Sequence, residues 1–235
     1  MKLLKKRFLS PELMDDPALP SAPHEQALKG LERINAVSLA GPQIFKALKS
    51  FAKERRYLKI LDVATGGGDI PIRLWELSRR EGFLFDVYAC DKSDTALEYA
   101  KDQARKRRVP VRFFQLDVER DPLPQGFDVI VSSLFLHHLS LLAGRRFLKN
   151  LSTAARQGFI LNDLMRTLPG FVAAKAGCHL LSASRVVHQD GPQSVRAAFT
   201  LREIKHLAFR AGLRNARVQT SWPFRYQLVW KRDDR

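Results

Sequence analysis

Sulfur chemistry has little material in this chain, which holds two cysteines, Cys90 and Cys178, in 235 residues and no Cys-x-x-Cys pair. That excludes a disulfide framework and leaves a reducing, cytoplasmic compartment as the expectation. No metal ligation is expected. Long apolar runs are missing as well: the opening Met1 to Leu9 is positively charged but has no apolar core of secretory-signal length, and no later stretch reads as a membrane span. Low-complexity tracts and internal repeats are absent. With 12 prolines, 13 glycines and 45% hydrophobic residues, the composition is that of an ordered globular protein.

Negative charge is the other scarcity. Forty Lys and Arg stand against 24 Asp and Glu, a net charge of +16, which raises nucleic acid or peripheral contact with an anionic surface as partners. The chain length suits one α/β domain with an added element.

Prolines 11, 17, 20 and 23 exclude a long helix over the first 22 residues or so. Apolar spacings then predict helices from His24 to Ser38 and from Pro42 to about Arg55, a cap ahead of a sheet. Beyond it strands and helices alternate: strands at 57–63, 85–90, 111–115, 127–132 and 158–162, helices at 70–80, 93–107 and 144–155. Such alternation predicts a mostly parallel sheet with helices on both faces. A nearly all-round apolar helix is expected from Leu164 to about Ser184, readable as a buried core helix or as a lid over an apolar pocket. An irregular segment, Arg185 to Ser194, follows it. A helix at 201–211 and strands at 217–221 and 225–230 close the chain.

The stretch Ile60-Leu-Asp-Val-Ala-Thr-Gly-Gly-Gly-Asp-Ile70 organises the rest. A strand ends in Asp62, a glycine turn follows, and a helix begins. Glycines at such a turn let backbone amides and a helix N-terminus approach a ligand directly. In a parallel sheet, ligands bind beyond the carboxyl ends of the strands. The second strand ends at Asp91, placed to hold two ribose hydroxyls, and the third is followed by Asp117, placed to accept from an adenine amino group. Acids at three consecutive strand ends point to a nucleoside.

Leu61 to Asp69, followed by Asp91, Asp117 and Phe127-Asp-Val-Ile-Val131, resembles the class I S-adenosylmethionine-dependent methyltransferases, and the Asp-Val-Ala-Thr-Gly wording is similar to their quinone-biosynthesis and small-molecule branch. The resemblance covers residues 57 to 163. It implies a Rossmann-like, doubly wound, seven-stranded, mostly parallel sheet whose last strand is antiparallel. It implies S-adenosylmethionine as cofactor and S-adenosylhomocysteine as product. By this resemblance Asp62, Ala64, Thr65, Gly66 and Gly68 lie along the methionine half of the cofactor. Asp91 binds the ribose, Lys92 flanks the adenine, Asp117 and Val118 meet its edge and face, and Ser132 sits near the transferred methyl. Ala64 departs from the family's first turn glycine, as is usual in the quinone-type relatives. The chain then divides into a basic tail and helical cap (1–56), a cofactor-binding core (57–163), a helical lid for substrate (164–196) and the completion of the sheet (197–235).

Methyl transfer to oxygen or carbon also requires a proton acceptor. His137 and His138 follow the fourth strand, and His188 lies in the expected irregular segment with Asp190 near enough to orient it; His188 and His138 are the catalytic candidates. The basic groups Lys53 to Arg56, Arg79 with Arg80, Arg105 to Arg108, and Arg210 with Arg214 fall at helix ends and strand starts, the edge away from the ligand. No (Asp/Asn/Ser)-Pro-Pro-aromatic run follows the fourth strand and no Pro-Cys nucleophile is present. The expected activity is methylation of a small, apolar, aromatic hydroxylated acceptor such as a phenol, quinol or polyketide. Two alternatives stand beside it, an RNA methyltransferase and a non-catalytic nucleoside-binding basic protein.

Overall fold

Alternation along a single strand sets the layers. In β1 (Tyr57–Val63), Leu58 and Ile60 belong to one apolar cluster while Leu61 and Val63 belong to another, and all four are buried. A strand covered on both faces has to lie inside a sheet. In the computed structural model, which describes residues 4–52 and 56–233, β1 is an interior strand, third in a seven-stranded sheet of order β3-β2-β1-β4-β5-β7-β6. The other strands are β2 (Leu84–Asp91), β3 (Arg112–Gln115), β4 (Val129–Ser133), β5 (Gly158–Leu164), β6 (Arg217–Ser221) and β7 (Arg225–Lys231). Strands β1 to β5 pair in parallel, and β7 runs antiparallel between β5 and β6.

Helices α2 (Ala40–Ala52) and α3 (Asp69–Arg80) cover one face through Ile44, Leu48, Leu74 and Leu77, with Ile60, Val87 and Val129 beneath. Helices α5 (Leu141–Ala154) and α8 (Leu201–Arg210) cover the other through Phe147, Leu151, Ile204 and Leu207. Each such side chain contributes about 1.5–3 kcal/mol by leaving water. The α4 helix (Asp94–Arg107) begins where Ser93 Oγ accepts the Ala96 N–H at 3.2 Å, and α8 begins with a reciprocal Thr200/Glu203 cap.

Three local expectations change. Helix α1 (Ser21–Val37) starts before His24 and takes Pro23 into its first turn, where a missing N–H breaks no intrahelical bond. Residues 164–167 continue β5 and its exit, so the apolar helix α6 spans only Leu168–Leu181. It is no core helix: only Gly170 and Cys178 are buried, while Val172 and Leu180 are 59% and 83% exposed.

The segment expected to be irregular is instead helix α7 (Arg185–Ala197). Its Asp190-Gly191-Pro192 run reads as a turn, yet Gly191 serves packing, because a Cβ there would lie 2.2 Å from Cys178 Sγ on α6. Small size at the crossing of α6 and α7 is what the glycine provides.

An element without a sequence signature closes the architecture. Residues 4 to 20 form a strap held to the second half of the chain: Arg7 donates to the carbonyls of Ala197, His137 and Leu139, and Asp190 accepts the Leu13 and Met14 N–H groups at 3.0 Å each. Gln193 donates to the carbonyls of Ser10 and Pro11. No helix among the described residues is long and apolar enough to cross a membrane.

Candidate active site

From β1 the chain moves outward to β2 and β3, whereas from β4 it moves the opposite way to β5. The loops leaving β1 and β4 therefore diverge and open a crevice between them, the usual ligand position in such sheets. Both exits carry a non-glycine residue in the left-handed region, Ala64 and Leu134, each at φ 55°. Such a conformation costs roughly 1–2 kcal/mol, and strain of this kind gathers at functional sites. A cleft of about 370 Å³ occupies the crevice.

One wall of the cleft is the glycine turn and the acids. Asp62 is 2% exposed; its Oδ2 accepts from Thr65 Oγ1 at 2.6 Å, and its Oδ1 is buried without a hydrogen-bond partner. Burial, with the charges of Asp69 and Asp91 adding to it, pushes this carboxyl up to about 8 against the opposing pull of Thr65. An orphaned carboxylate oxygen facing a cleft calls for a donor, and a ligand ammonium supplies one. Asp69, at the start of α3, is raised to about 6 by burial, although Asn35 Nδ2 donates to it at 3.0 Å. Asp91 is raised by burial and opposed by two backbone donors, Ser93 N at 3.0 Å and Gly66 N at 2.8 Å. Lys92, Asp117 and Val118 complete this side.

The other feature is a cluster of histidines and carboxylates. His137 and His138 form a 3-10 turn after β4. His137 Nδ1 lies 2.6 Å from Asp163 Oδ1, and Asp163 also accepts the His137 and Leu164 N–H groups. Burial alone would lower His137, but Asp163 and then Glu12 outweigh it, so the imidazolium form is favoured. His138 Nδ1 lies 3.1 Å from Asp15, which also pairs with Lys92 at 3.2 Å. Burial raises Asp15 and Glu12, and the facing histidines outweigh it, leaving both carboxyls below their usual range. Met14, Leu28, Leu31, Ile34, Ala173 and Leu181 provide an apolar wall.

Of the residues singled out from sequence, Asp62, Ala64, Thr65, Gly66, Asp91, Lys92, Asp117, Val118 and His138 all line this cleft. Gly68, Ser132 and His188 do not. Gly68, at φ 74°, is glycine because a Cβ would sit 2.8 Å from Ala100 Cβ, so it seats α3 on α4. Ser132 is buried, and the next residue, Ser133, reaches the cleft, as alternation along a strand dictates. His188 sits on α7 with Nε2 2.7 Å from the Ser182 carbonyl and its ring stacked 4.1 Å from His179. Asp190 does not orient it; that carboxylate is occupied by the strap. Glu12, Asp15 and Asp163 went unnoticed in the sequence, since nothing local marks them.

The cationic runs lie elsewhere. Arg105 and Lys106 pair with Asp102 at 2.7 and 2.5 Å, and Arg107 pairs with Glu32. Of the run Lys53 to Arg56, only Arg56 lies among the described residues, and it stacks over Phe83. The described cations lining the cleft are Lys92 and Arg225. Arg225 is fully buried, lowered by burial to about 10 with partial opposition from Asp163 and Asp69, and donates to Asn162 and Asn35.

Comparison with known proteins agrees with this geometry. A family described as a methyltransferase domain matches residues 60–158. The ubiquinone/menaquinone biosynthesis C-methyltransferase UbiE of Idiomarina loihiensis is 35% identical over 89 residues, 37% of this chain and 34% of that protein. The chain thus spans about a third of the length of the curated relatives it matches. Among solved structures, a SAM-dependent methyltransferase from Aquifex aeolicus superposes with a TM-score of 0.62 at 20% identity, covering 88% of this chain and 97% of that one. Magnesium protoporphyrin IX methyltransferase (ChlM) from Synechocystis, solved with bound SAH, gives 0.59 at 17% identity, with 86% of each chain covered. The matched residues, their sheet order and the acids along the cleft make residues 60–158 a class I S-adenosylmethionine-dependent methyltransferase domain.

Proposed function

We propose that the whole chain transfers the methyl group of S-adenosylmethionine to a small, apolar, aromatic hydroxylated acceptor of the phenol, quinol or polyketide kind. One observation carries the reading: a single cleft joins the acid-and-glycine wall to an apolar wall and to a histidine–carboxylate cluster. The cofactor, when bound, supplies an electrophilic methyl on a sulfonium. Asp62 Oδ1 would accept from its ammonium and Asp91 from the ribose hydroxyls, with Lys92, Asp117 and Val118 beside the base. Ala173, Leu181, Leu31 and Ile34 hold the acceptor's rings and keep water out, which matters because alignment and desolvation make up most of the catalysis of such a displacement.

His138 takes the acceptor's proton. Asp15 holds its Nδ1, which leaves Nε2 to act as base. The paired state of the basic helix ends, and a cleft lined by only two described cations, favour a small molecule over an RNA acceptor.

Calorimetry with S-adenosylhomocysteine tests the cofactor half; no binding sinks it. Turnover on a panel of phenols and quinols tests the other half. His138→Asn is expected to lower kcat by about 100-fold or more while S-adenosylhomocysteine affinity holds. Cofactor binding with no turnover on any acceptor would favour the non-catalytic reading.

A further inference from the structure

We propose that Glu12, His137 and His138 hold one divalent transition-metal ion of the zinc class. One ligand atom from each lies within 4.8 Å of the others. Glu12 Oε1 is 3.7 Å from His137 Nε2, and Glu12 Oε2 is 3.9 Å from His138 Nε2. Those separations are too long for hydrogen bonds. Bonds of about 2.0–2.2 Å at a tetrahedral angle put donors about 3.4 Å apart, so the three groups draw together when an ion binds.

The surroundings are built to aim these three groups. Asp163 holds His137 Nδ1 at 2.6 Å and Asp15 holds His138 Nδ1 at 3.1 Å, so both rings turn Nε2 toward Glu12. A carboxylate on the far nitrogen of a ligating histidine is the usual outer shell of a metal site. Ser194 Oγ donates to Glu12 Oε1 at 2.6 Å and fixes the third ligand. Three carboxylates converge on the two imidazoles, and an ion bound there takes the place of the Nε2 proton that they favour on His137. Two imidazoles and one carboxylate suit zinc, cobalt or iron; magnesium and calcium prefer oxygen alone.

The ligands line the cleft, so the ion keeps an open position toward it. There it would lower the pKa of an acceptor hydroxyl and take over the task assigned to His138. That consequence rests on the methyl-transfer reading, whereas binding of the ion does not.

The test uses the full chain without a polyhistidine tag, stripped with EDTA and titrated with zinc chloride in a calorimeter. One ion per chain is expected, with a rise in melting temperature. Glu12→Gln and His138→Asn are each expected to weaken binding at least 100-fold, and Asp15→Asn, which touches no ion, by about 10- to 100-fold. His179→Asn, on the separate stacked pair, should leave the titration unchanged, and magnesium chloride should give no saturable heat. Cobalt should show visible bands without thiolate charge transfer, which separates this site from Cys90 and Cys178. Circular dichroism screens the variants, and His138→Asn decides if Glu12→Gln does not fold. Absence of saturable zinc binding, or binding untouched by both ligand substitutions, would leave the cluster a plain ion pair and overturn the proposal. Zinc binding with no effect of EDTA on turnover would overturn only the catalytic consequence.

Discussion

The two sides of the cleft are made in opposite ways. The glycine turn is local: Asp62, Ala64, Thr65 and Gly66 lie within five residues, and its chemistry comes from backbone shape and one orphaned carboxylate oxygen. The histidine cluster is assembled from three distant parts of the chain, with Glu12 and Asp15 on the strap, His137 and His138 after β4, and Asp163 on β5. Changes on the first side should therefore act through conformation and cofactor affinity. Changes on the second should act through the acceptor and the strap.

The sharpest break of that comparison is within the turn. Gly68→Ala meets both a left-handed backbone and a 2.8 Å contact with Ala100, so stability should fall by about 3 kcal/mol in denaturant titration. Gly66→Ala, with φ 55° but nothing nearer than 3.8 Å, should cost only about 1 kcal/mol and show its main effect on cofactor affinity. Equal destabilisation by the two would erase the distinction between packing and approach.

Next in size, Asp91→Ala should weaken S-adenosylhomocysteine binding by about 30-fold, the worth of hydrogen bonds to a charged group, with acceptor specificity unchanged. An affinity within threefold of the parent chain would remove Asp91 from the cofactor site.

A pH titration reaches the same wall more gently. Because Asp62 is raised to about 8, most of it is neutral in the free chain at lower pH, and a ligand ammonium favours the carboxylate. Affinity should rise with pH by up to about tenfold per unit and level off above about 8. The effect on folding has the opposite sense: a raised carboxyl lends stability that is full below its unfolded value and declines as pH rises through the folded one. Asp62→Asn should flatten the affinity slope and abolish the proton released on binding, measured in buffers of different ionisation enthalpy.

The smallest effect probes the strap. Gln193→Ala removes donors to Ser10 and Pro11, worth about 1 kcal/mol, and should speed amide exchange over residues 8–16. Cofactor affinity should stay put; if it falls as far as acceptor affinity, the two sides are one unit.

What could be read in the sequence follows the same division. The sheet, with β1 and β6 bounded as expected, and the gathering of the strand-end acids along one cleft follow from alternation and from acids adjacent to strand ends, where neighbours in sequence are neighbours in space. Ser132 missed by one position because a strand's period is two, so a one-residue error exchanges the faces. His188 missed for a different reason: Gly191 and Pro192 read as a loop, whereas the close crossing with Cys178 makes Gly191 a helix residue. The strap carries Arg7, Glu12 and Asp15 in a proline-rich run with no periodicity, and only tertiary partners, Ala197 for the first and the two histidines for the others, give those residues meaning. Long-range convergence has no local signature.

The strap also bears on how the protein is made. Arg7 waits for the carbonyl of Ala197, 190 residues later, and Leu13 for Asp190, 177 residues later. At a synthesis rate of roughly 5–20 residues per second, the first of these intervals lasts about 10 to 40 s. For that time the glycine turn and most of the parallel sheet can form on the ribosome while the strap that carries Glu12 and Asp15 lacks its anchors Asp190 and Ala197. Ribosomes paused between codons 164 and 185 should thus carry nascent chains that have the nucleoside wall but not the completed mouth.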